Sequence, residues 1–296
     1  MDGRFTSAAL TAVLERLCAE LGLAHRGARL VKFTSNAVFD LPVDRVVVRI
    51  VGSTTLRHRA AKVVEVARWL AEHDVPAVRL VEDVPQPLAI GDHLATVWHA
   101  VPSGGRPVDG RDLGRVLRQV HSLPAPGFEL PRWTPLDDVR RRLADAEELS
   151  APDRRFLEDR CAEADDRLAG LRFALPPGVV HGDAHLGNLI PSPDGPVICD
   201  FDSTSFGPRE WDLSTLPVGV ARFGHSAEWY RQLADEYGFD VVRWPGFPVL
   251  REVRELKLTT SVLPIMRSHP GVRDELHSRL KALRAGDTTT PWTPYR

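Results

Sequence analysis

The sequence predicts an α+β protein built in two parts: a small antiparallel sheet carrying one long helix over residues 1–101, and a larger, mainly helical part over 102–296. Three observations lead there. After Gly22 the hydrophobic period changes from helical to alternating, and short β-rich segments follow with turn formers between them. A single long helical pattern, 55–73, interrupts these strands. Beyond the Pro/Gly-rich stretch 101–107, amphipathic helical spacing dominates. With 296 residues, 43% hydrophobic and 26% charged, the chain can bury its cores without disulfide or metal support.

In chain order, residues 6–21 space their apolar side chains as a helix and stop at Gly22. Segments 29–33, 37–41 and 45–51 read as strands, and the short Thr34-Ser35-Asn36 link between the first two predicts a meander. In 55–73, Leu56, Ala60, Val63, Val64, Ala67 and Leu70 recur every three or four residues, a helix of about five turns. Strands are expected at 78–81, 88–90 and 94–98, and a linker at 101–107. Helices are expected at 110–122, 136–148, 152–169, 249–263 and 272–285, with short strands at 179–180 and 197–199 and an irregular tail from 286.

The composition excludes several classes. Cys18, Cys161 and Cys199 are odd in number and far apart, so no disulfide framework or structural zinc site is indicated. No apolar run reaches the ~20 residues a bilayer requires, and the opening Met-Asp-Gly-Arg-Phe-Thr lacks a secretory layout, so a cytoplasmic location without membrane attachment is expected. A net charge of -2 leaves no basic field for nucleic acid. The sequence identifies no protein partner. The basic residues are lopsided: Lys32, Lys62, Lys257 and Lys281 are the four lysines, and the remaining basic residues are arginines.

The chemistry concentrates in Val180-His-Gly-Asp-Ala-His-Leu-Gly-Asn-Leu-Ile190 and Val197-Ile-Cys-Asp-Phe-Asp202. An Asp and an Asn five apart lie in a loop between strands, and an Asp-x-Asp closes the next strand. Such oxygen donors suit a hard cation like Mg²⁺, which takes one or two carboxylates plus substrate phosphates. Asp183 is then free to act on a substrate hydroxyl.

This arrangement resembles the catalytic loop and metal-binding strand of the protein-kinase-like superfamily, where His-x-Asp-x-x-x-x-Asn precedes Asp-Phe-Gly. Its His-Gly-Asp opening and Asp-Phe-Asp ending look like the aminoglycoside phosphotransferase branch. The resemblance implies a two-lobed kinase-like fold, with a nucleotide-binding lobe at 1–101 and a catalytic, acceptor-binding lobe at 102–296. It implies ATP or GTP and Mg²⁺ as cofactors and a small-molecule hydroxyl acceptor as partner. Asp183 would be the catalytic aspartate, Asn188 and Asp200 the metal ligands, His181 a brace for the loop, and Asp212 a residue holding that loop by hydrogen bonds. Asp202 is a possible additional carboxylate of the site.

The same resemblance asks for a basic residue on the third strand and a glutamate on the long helix. Arg49, in Val-Val-Val-Arg-Ile, and Glu65, 16 residues on, fill those places, with Arg replacing the usual Lys. The phosphate-covering hairpin, Phe33-Thr-Ser-Asn-Ala-Val-Phe39, has no glycine; Ser35 and Asn36 are its candidate phosphate contacts. At the hinge, the His99 carbonyl and Val101 N–H would bond adenine and Trp98 would close the back of its pocket.

Only nine residues separate Asp202 from Asp212, too few for a peptide-positioning activation segment, so a small molecule is the expected acceptor. Residues 151–240 carry 16 acidic and 8 basic residues, which would attract a polycationic antibiotic, although six of the acids fall on one predicted helix as a solvated face. An aminoglycoside or other antibiotic, with antibiotic resistance as the role, therefore stands beside a sugar, choline-like or amino alcohol. A weakly active nucleotide-binding pseudokinase and a metal hydrolase using the same acids are the readings from other classes.

Overall fold

The computed structural model describes residues 7–33, 36–51, 58–266 and 270–295; Thr6, Thr34, Ser35 and the first residues of the 55–73 pattern lie outside them. The chain forms two compact units. The first is Met1–Val108 with Leu123–Leu130 and Gly187–Thr204; the second is Asp109–Ser122, Pro131–Leu186 and Ser205–Arg296.

The first unit holds helix α1 (Ser7–Leu21), strands β1 (Arg29–Phe33), β2 (Asn36–Leu41) and β3 (Val46–Val51), helix α2 (His58–Glu72), and strands β4 (Leu88–Ile90) and β5 (His93–His99). The strands form one antiparallel sheet in the order β1-β2-β3-β5-β4. Alternation decides its faces. Ala37, Phe39 and Leu41 of β2 and Val46, Val48 and Ile50 of β3 point inward and join Leu10, Leu14, Leu17 and Cys18 of α1 in one core. Arg49 therefore points to the opposite face, between Val38 and Thr96 on the neighbouring strands.

The expected strand at 78–81 does not form. It keeps a bridge between Leu80 and Trp98 and single backbone bonds, from Val81 N to the Val97 carbonyl, from His99 N to the Arg79 carbonyl and from Val78 N to the Ile198 carbonyl. The reason is Gln86, whose side-chain amide occupies the ladder: it donates to the carbonyls of Val81 (3.0 Å) and Val97 (3.1 Å) and accepts from Val97 N (2.7 Å). The Leu189–Ile190 and Val197–Ile198 strands pair as a small hairpin, and Ile198 bonds backbone to backbone with Pro76 and Val78.

The second unit is helical: α3 (Gly110–Ser122), α4 (Asp137–Asp145), α5 (Ala151–Ala169), α6 (Glu210–Leu213), α7 (Thr215–Phe223), α8 (Ala227–Tyr237), α9 (Phe247–Thr260) and α10 (Arg273–Arg284). Gly178–Val180 pairs with Ser205–Gly207, a strand the sequence reading omits. Helices α7 and α8 are likewise not resolved individually by the sequence reading. For α8 the caps are present: Ser226 accepts from Glu228 N and Gly238 closes the helix at φ +87°. Helix α3 packs on α8 because Gly110 has no Cβ; one placed there would stand 1.7 Å from the Trp229 carbonyl oxygen.

The chain beyond α10 is irregular, as expected, but fixed. Arg222 donates to the carbonyls of Asp287 (2.7 Å) and Thr290 (2.9 Å), and Trp292 is buried. No helix among the described residues is long and apolar enough to cross a membrane.

Candidate active site

The first unit gathers cations and carboxylates. The Cys199 N–H donates to the Asn188 carbonyl (2.9 Å), so the hairpin sets Asn188, which is buried, beside the strand end that delivers Asp200 and Asp202. Asp200 adopts a left-handed backbone, φ +71°, a conformation that Asp tolerates better than most residues. Asp202 is raised above the usual carboxylate range by burial and by the hydrogen-bonded Asp200 carboxyl, against the pull of Arg49. The two carboxyls, in contact with each other, make a paired set of oxygen donors. Asp200, Asp202 and the adjacent Asn188 thus fit a hard divalent ion.

Arg49 binds Asp202 through its guanidinium. The expected Arg49–Glu65 pair does not form. Glu65 is exposed on α2 and has no hydrogen bond or ion pair among the described residues. Helical phase explains this: Val63, Val64, Val66, Ala67 and Leu70 define the buried face, and position 65 falls off it. Lys62, one turn before Val66, turns inward instead, and its ammonium donates to the carbonyls of Asp202 (2.6 Å) and Thr204 (2.9 Å). Lys32 of β1 stands 3.5 Å from the Asp200 carboxylate. The sequence reading missed both lysines. A signal was available, since a chain with four lysines and many arginines has placed two of them here.

At the other end of the sheet, Trp98 is buried, donates from Nε1 to Thr96 Oγ1 (2.8 Å), and lies 6.3 Å from the Phe201 ring. The His99 N–H is used within the unit, by the Arg79 carbonyl (2.9 Å), and its Nε2 stands 3.0 Å from Glu82. The Val101 N–H has no acceptor among the described residues. Asn36 opens β2, opposite Val51; Ser35 lies outside the described residues.

The second unit builds the loop that carries Asp183. Gly182 takes φ +86°, a conformation strained for any side chain larger than glycine's, which explains the middle residue of His-Gly-Asp. Asp212, fully buried on α6, accepts from the backbone N–H groups of His181 (2.6 Å) and Gly182 (2.8 Å) and from His121 Nε2 (3.0 Å). Burial alone would raise its carboxyl, but the His121 bond and charge, the His181 charge and the Gly182 N–H outweigh this and lower it. His181 is itself buried, and its Nδ1 stands 3.3 Å from Asp183 N. Trp211 Nε1 donates to the Gly182 carbonyl (2.8 Å).

Asp183 is left presenting its carboxylate. Surrounding protein would push its carboxyl up, but the neighbouring His185, with its Nε2 at 3.7 Å, and the charges of Arg254 and His181 hold it well below the usual range. Half of the side-chain surface (52%) stays open to solvent, which tempers the cost of the charge. Arg254 is buried on α9, stacked 3.8 Å over the Trp211 ring, and bonded to Ser214 Oγ and the Trp211 carbonyl. Arg254 was not legible as a site residue, because its approach to Asp183 depends on tertiary packing; His185, two residues from Asp183 in the same loop, was within reach of the sequence.

Removing the Asp212 carboxylate would orphan three donors at once. Asp212→Ala is expected to lower stability by about 3–5 kcal/mol, the usual cost of breaking a buried charged network. Urea denaturation measures this, and a loss under ~1 kcal/mol would contradict the clamp.

Known proteins bear on this arrangement. The family model described as phosphotransferase enzyme family matches residues 29–255. No curated protein matches the sequence. Among solved structures, amicoumacin kinase hAmiN in complex with AMP-PNP, Ca²⁺ and Ami aligns with a TM-score of 0.70 at 15% identity, covering 97% of this chain and 98% of its own. A choline/ethanolamine kinase family protein from Mesorhizobium loti aligns at 0.64 and 17% identity, covering 92% and 94%. Aminoglycoside phosphotransferase APH(3″)-Id from Streptomyces rimosus aligns at 0.59 and 22% identity, covering 82% and 98%. These likenesses establish a kinase-like fold, and the family match reaches from β1 into α9, through every motif described above. The chain belongs to the phosphotransferase enzyme family, the small-molecule kinases.

Proposed function

We propose that this enzyme transfers the γ-phosphoryl group of ATP, with Mg²⁺, to a hydroxyl of a small molecule. The observation that supports this best is the unequal treatment of its carboxylates: Asp183 is kept ionised and open to solvent, whereas Asp202 is pushed up beside Asp200. Environments that drive carboxylates apart in this way separate a proton acceptor from a cation-binding pair.

The first unit's residues serve the nucleotide. Asp200, Asp202 and Asn188 would hold the cation, which supplies charge neutralisation on the phosphate oxygens when bound. Arg49 would release Asp202 and fork onto phosphate oxygens, a geometry its planar guanidinium suits. The Val101 N–H would donate to the adenine edge and the His99 carbonyl would accept from it, while Asn36, with Ser35, would cover the phosphates.

The second unit's Asp183 would orient the acceptor hydroxyl and take its proton as the oxygen bonds to the γ-phosphorus and the bond to the leaving ADP oxygen breaks. The chain passes from one unit to the other at Leu186–Gly187, inside the His181–Asn188 motif that carries both Asp183 and Asn188. The solved relatives are kinases of antibiotics and of choline-type alcohols by their names, and a shared fold selects none of these acceptors. Lys62, holding the Asp202 and Thr204 carbonyls, and the intact Asp183 favour an active enzyme over a pseudokinase.

Asp200→Ala tests the cation half. ATP affinity in the presence of Mg²⁺, measured by calorimetry, is expected to fall by at least about tenfold, while the weaker Mg²⁺-free affinity stays unchanged. An unchanged Mg²⁺ dependence would remove Asp200 from the cation site.

A further inference from the structure

Lys257 lies on α9, three residues beyond Arg254. Its ammonium stands 5.9 Å from the centroid of the Trp211 ring that Arg254 also covers. That ring is pinned to the Gly182 carbonyl, next to Asp183, so two cations share the indole that braces the Asp183 loop. Arg254 is satisfied by Ser214 and the Trp211 carbonyl. Lys257 is not: its half-buried ammonium has neither a hydrogen bond nor an ion pair among the described residues.

The charged groups around it do not fill the gap. From α4, Asp138 is engaged by Arg141 (2.7 Å), and Arg142 is a second cation; from the Asp183 loop comes Asp183 itself, and from its own helix Arg254. Burial first, then Arg142 and Arg254, bring Lys257 down to about 8, with Asp138 and Asp183 only partly opposing them. The ammonium has no protein acceptor among the described residues but keeps solvent contact, so its donors are open to an anion in place of water. On α5, three of the acids of 151–240, Asp153, Glu163 and Asp165, are paired with Arg284, Arg160 and Arg140.

We infer that Lys257 receives a carboxylate or phosphate group of the acceptor whose hydroxyl Asp183 serves, so that the substrates are anionic hydroxy compounds rather than polycations. This rests on the phosphotransferase reading above. Its sign with pH is defined: the ammonium binds the anion, so KM for an anionic acceptor is flat below about pH 8 and rises above it as Lys257 deprotonates.

The four lysines make a direct test possible, since protein labelled with [ε-¹³C]lysine gives four resonances and Lys257→Met identifies one of them. D-glycerate and glycerol 3-phosphate are the anionic probes, glycerol their neutral counterpart, and Mg²⁺ with AMP-PNP the probe for the transferred phosphoryl group. The Lys257 midpoint is expected to rise by about one unit with either anionic probe and to stay put with glycerol. A response to glycerate alone or to glycerol 3-phosphate alone assigns the carboxylate or the phosphate source. No response to either, or a response to Mg²⁺–AMP-PNP alone, overturns the proposal, the latter because Lys257 would then serve the transferred group. Turnover gives the matching readout across the pairs D-glycerate and glycerol, and L-homoserine and 3-aminopropanol. Lys257→Met is expected to raise KM for the carboxylate-bearing member of each pair about tenfold and leave the member lacking it within a few-fold; equal losses in kcat for both would contradict it. Failure of the phosphotransferase reading looks different: no acceptor is phosphorylated, while the lysine resonance still answers to the anions.

Discussion

Asp183→Asn is expected to lower phosphoryl transfer by about 10²–10⁴-fold, with ATP affinity unchanged. Asparagine keeps the shape of the side chain and its place between His185 and Arg254, but it cannot take a proton. The nucleotide-holding residues belong to the first unit and Asp183 to the second, so kcat and nucleotide Kd should separate cleanly. His185 and Arg254 lose a counter-charge in the variant, and a thermal melt run in parallel detects any unfolding. Turnover within a few-fold of wild type, from folded protein, would contradict the assignment of Asp183.

The second large effect concerns Arg49. Arg49→Ala is expected to cost about 10²–10³-fold in kcat/KM for ATP, comparable to deleting a preorganised donor from an electrostatic site. Two changes accompany it: the phosphates lose a forked cation, and Asp202 is left beside Asp200 without its counter-ion. Arg49→Lys should keep part of the activity, because the charge remains while the fork is lost. Since Arg49 meets Asp202 and not Glu65, the double-mutant cycle has a definite form. Arg49→Ala combined with Asp202→Asn should be non-additive by about 0.5–3 kcal/mol, whereas Glu65→Gln should change neither stability nor turnover by more than ~0.5 kcal/mol. Additive losses at 49 and 202, or a large effect at 65, would place Arg49 in the wrong pair.

The misassigned partner illustrates what this sequence conceals. Strands 29–33 and 88–90, the alternation that turns Arg49 away from Val48 and Ile50, and the α+β class were legible because period and turn chemistry are local. The strand expected at 78–81 failed for a non-local reason, the Gln86 side chain that takes over its ladder bonds. Which face of α2 turns inward was readable in principle: the apolar set Val63, Val64, Ala67 and Leu70 already excludes position 65 and admits 62. The family spacing from Arg49 points to position 65, whereas the buried stripe of α2 runs through 63, 64, 67 and 70. His121, Arg254 and Lys257 come from helices distant in sequence from residues 181–185, and only packing brings them to that loop. In an arginine-rich chain, Lys32 stands by the Asp200 carboxylate, Lys62 on two backbone carbonyls and Lys257 beside the Trp211 ring, where a compact point charge differs most from a guanidinium.

Transfer of ATP's γ-phosphoryl group to a small-molecule hydroxyl served by Asp183 is the step on which the proposed function rests. It is tested most directly by ³¹P NMR of the wild-type enzyme and Asp183→Asn with Mg²⁺, ATP and a panel of anionic, neutral and cationic hydroxy compounds. The predicted result is a new phosphomonoester resonance with stoichiometric ADP for at least one acceptor, formed by the wild type and absent with the variant. Release of inorganic phosphate alone across the panel, or the same phosphomonoester formed at the same rate by both proteins, would contradict it.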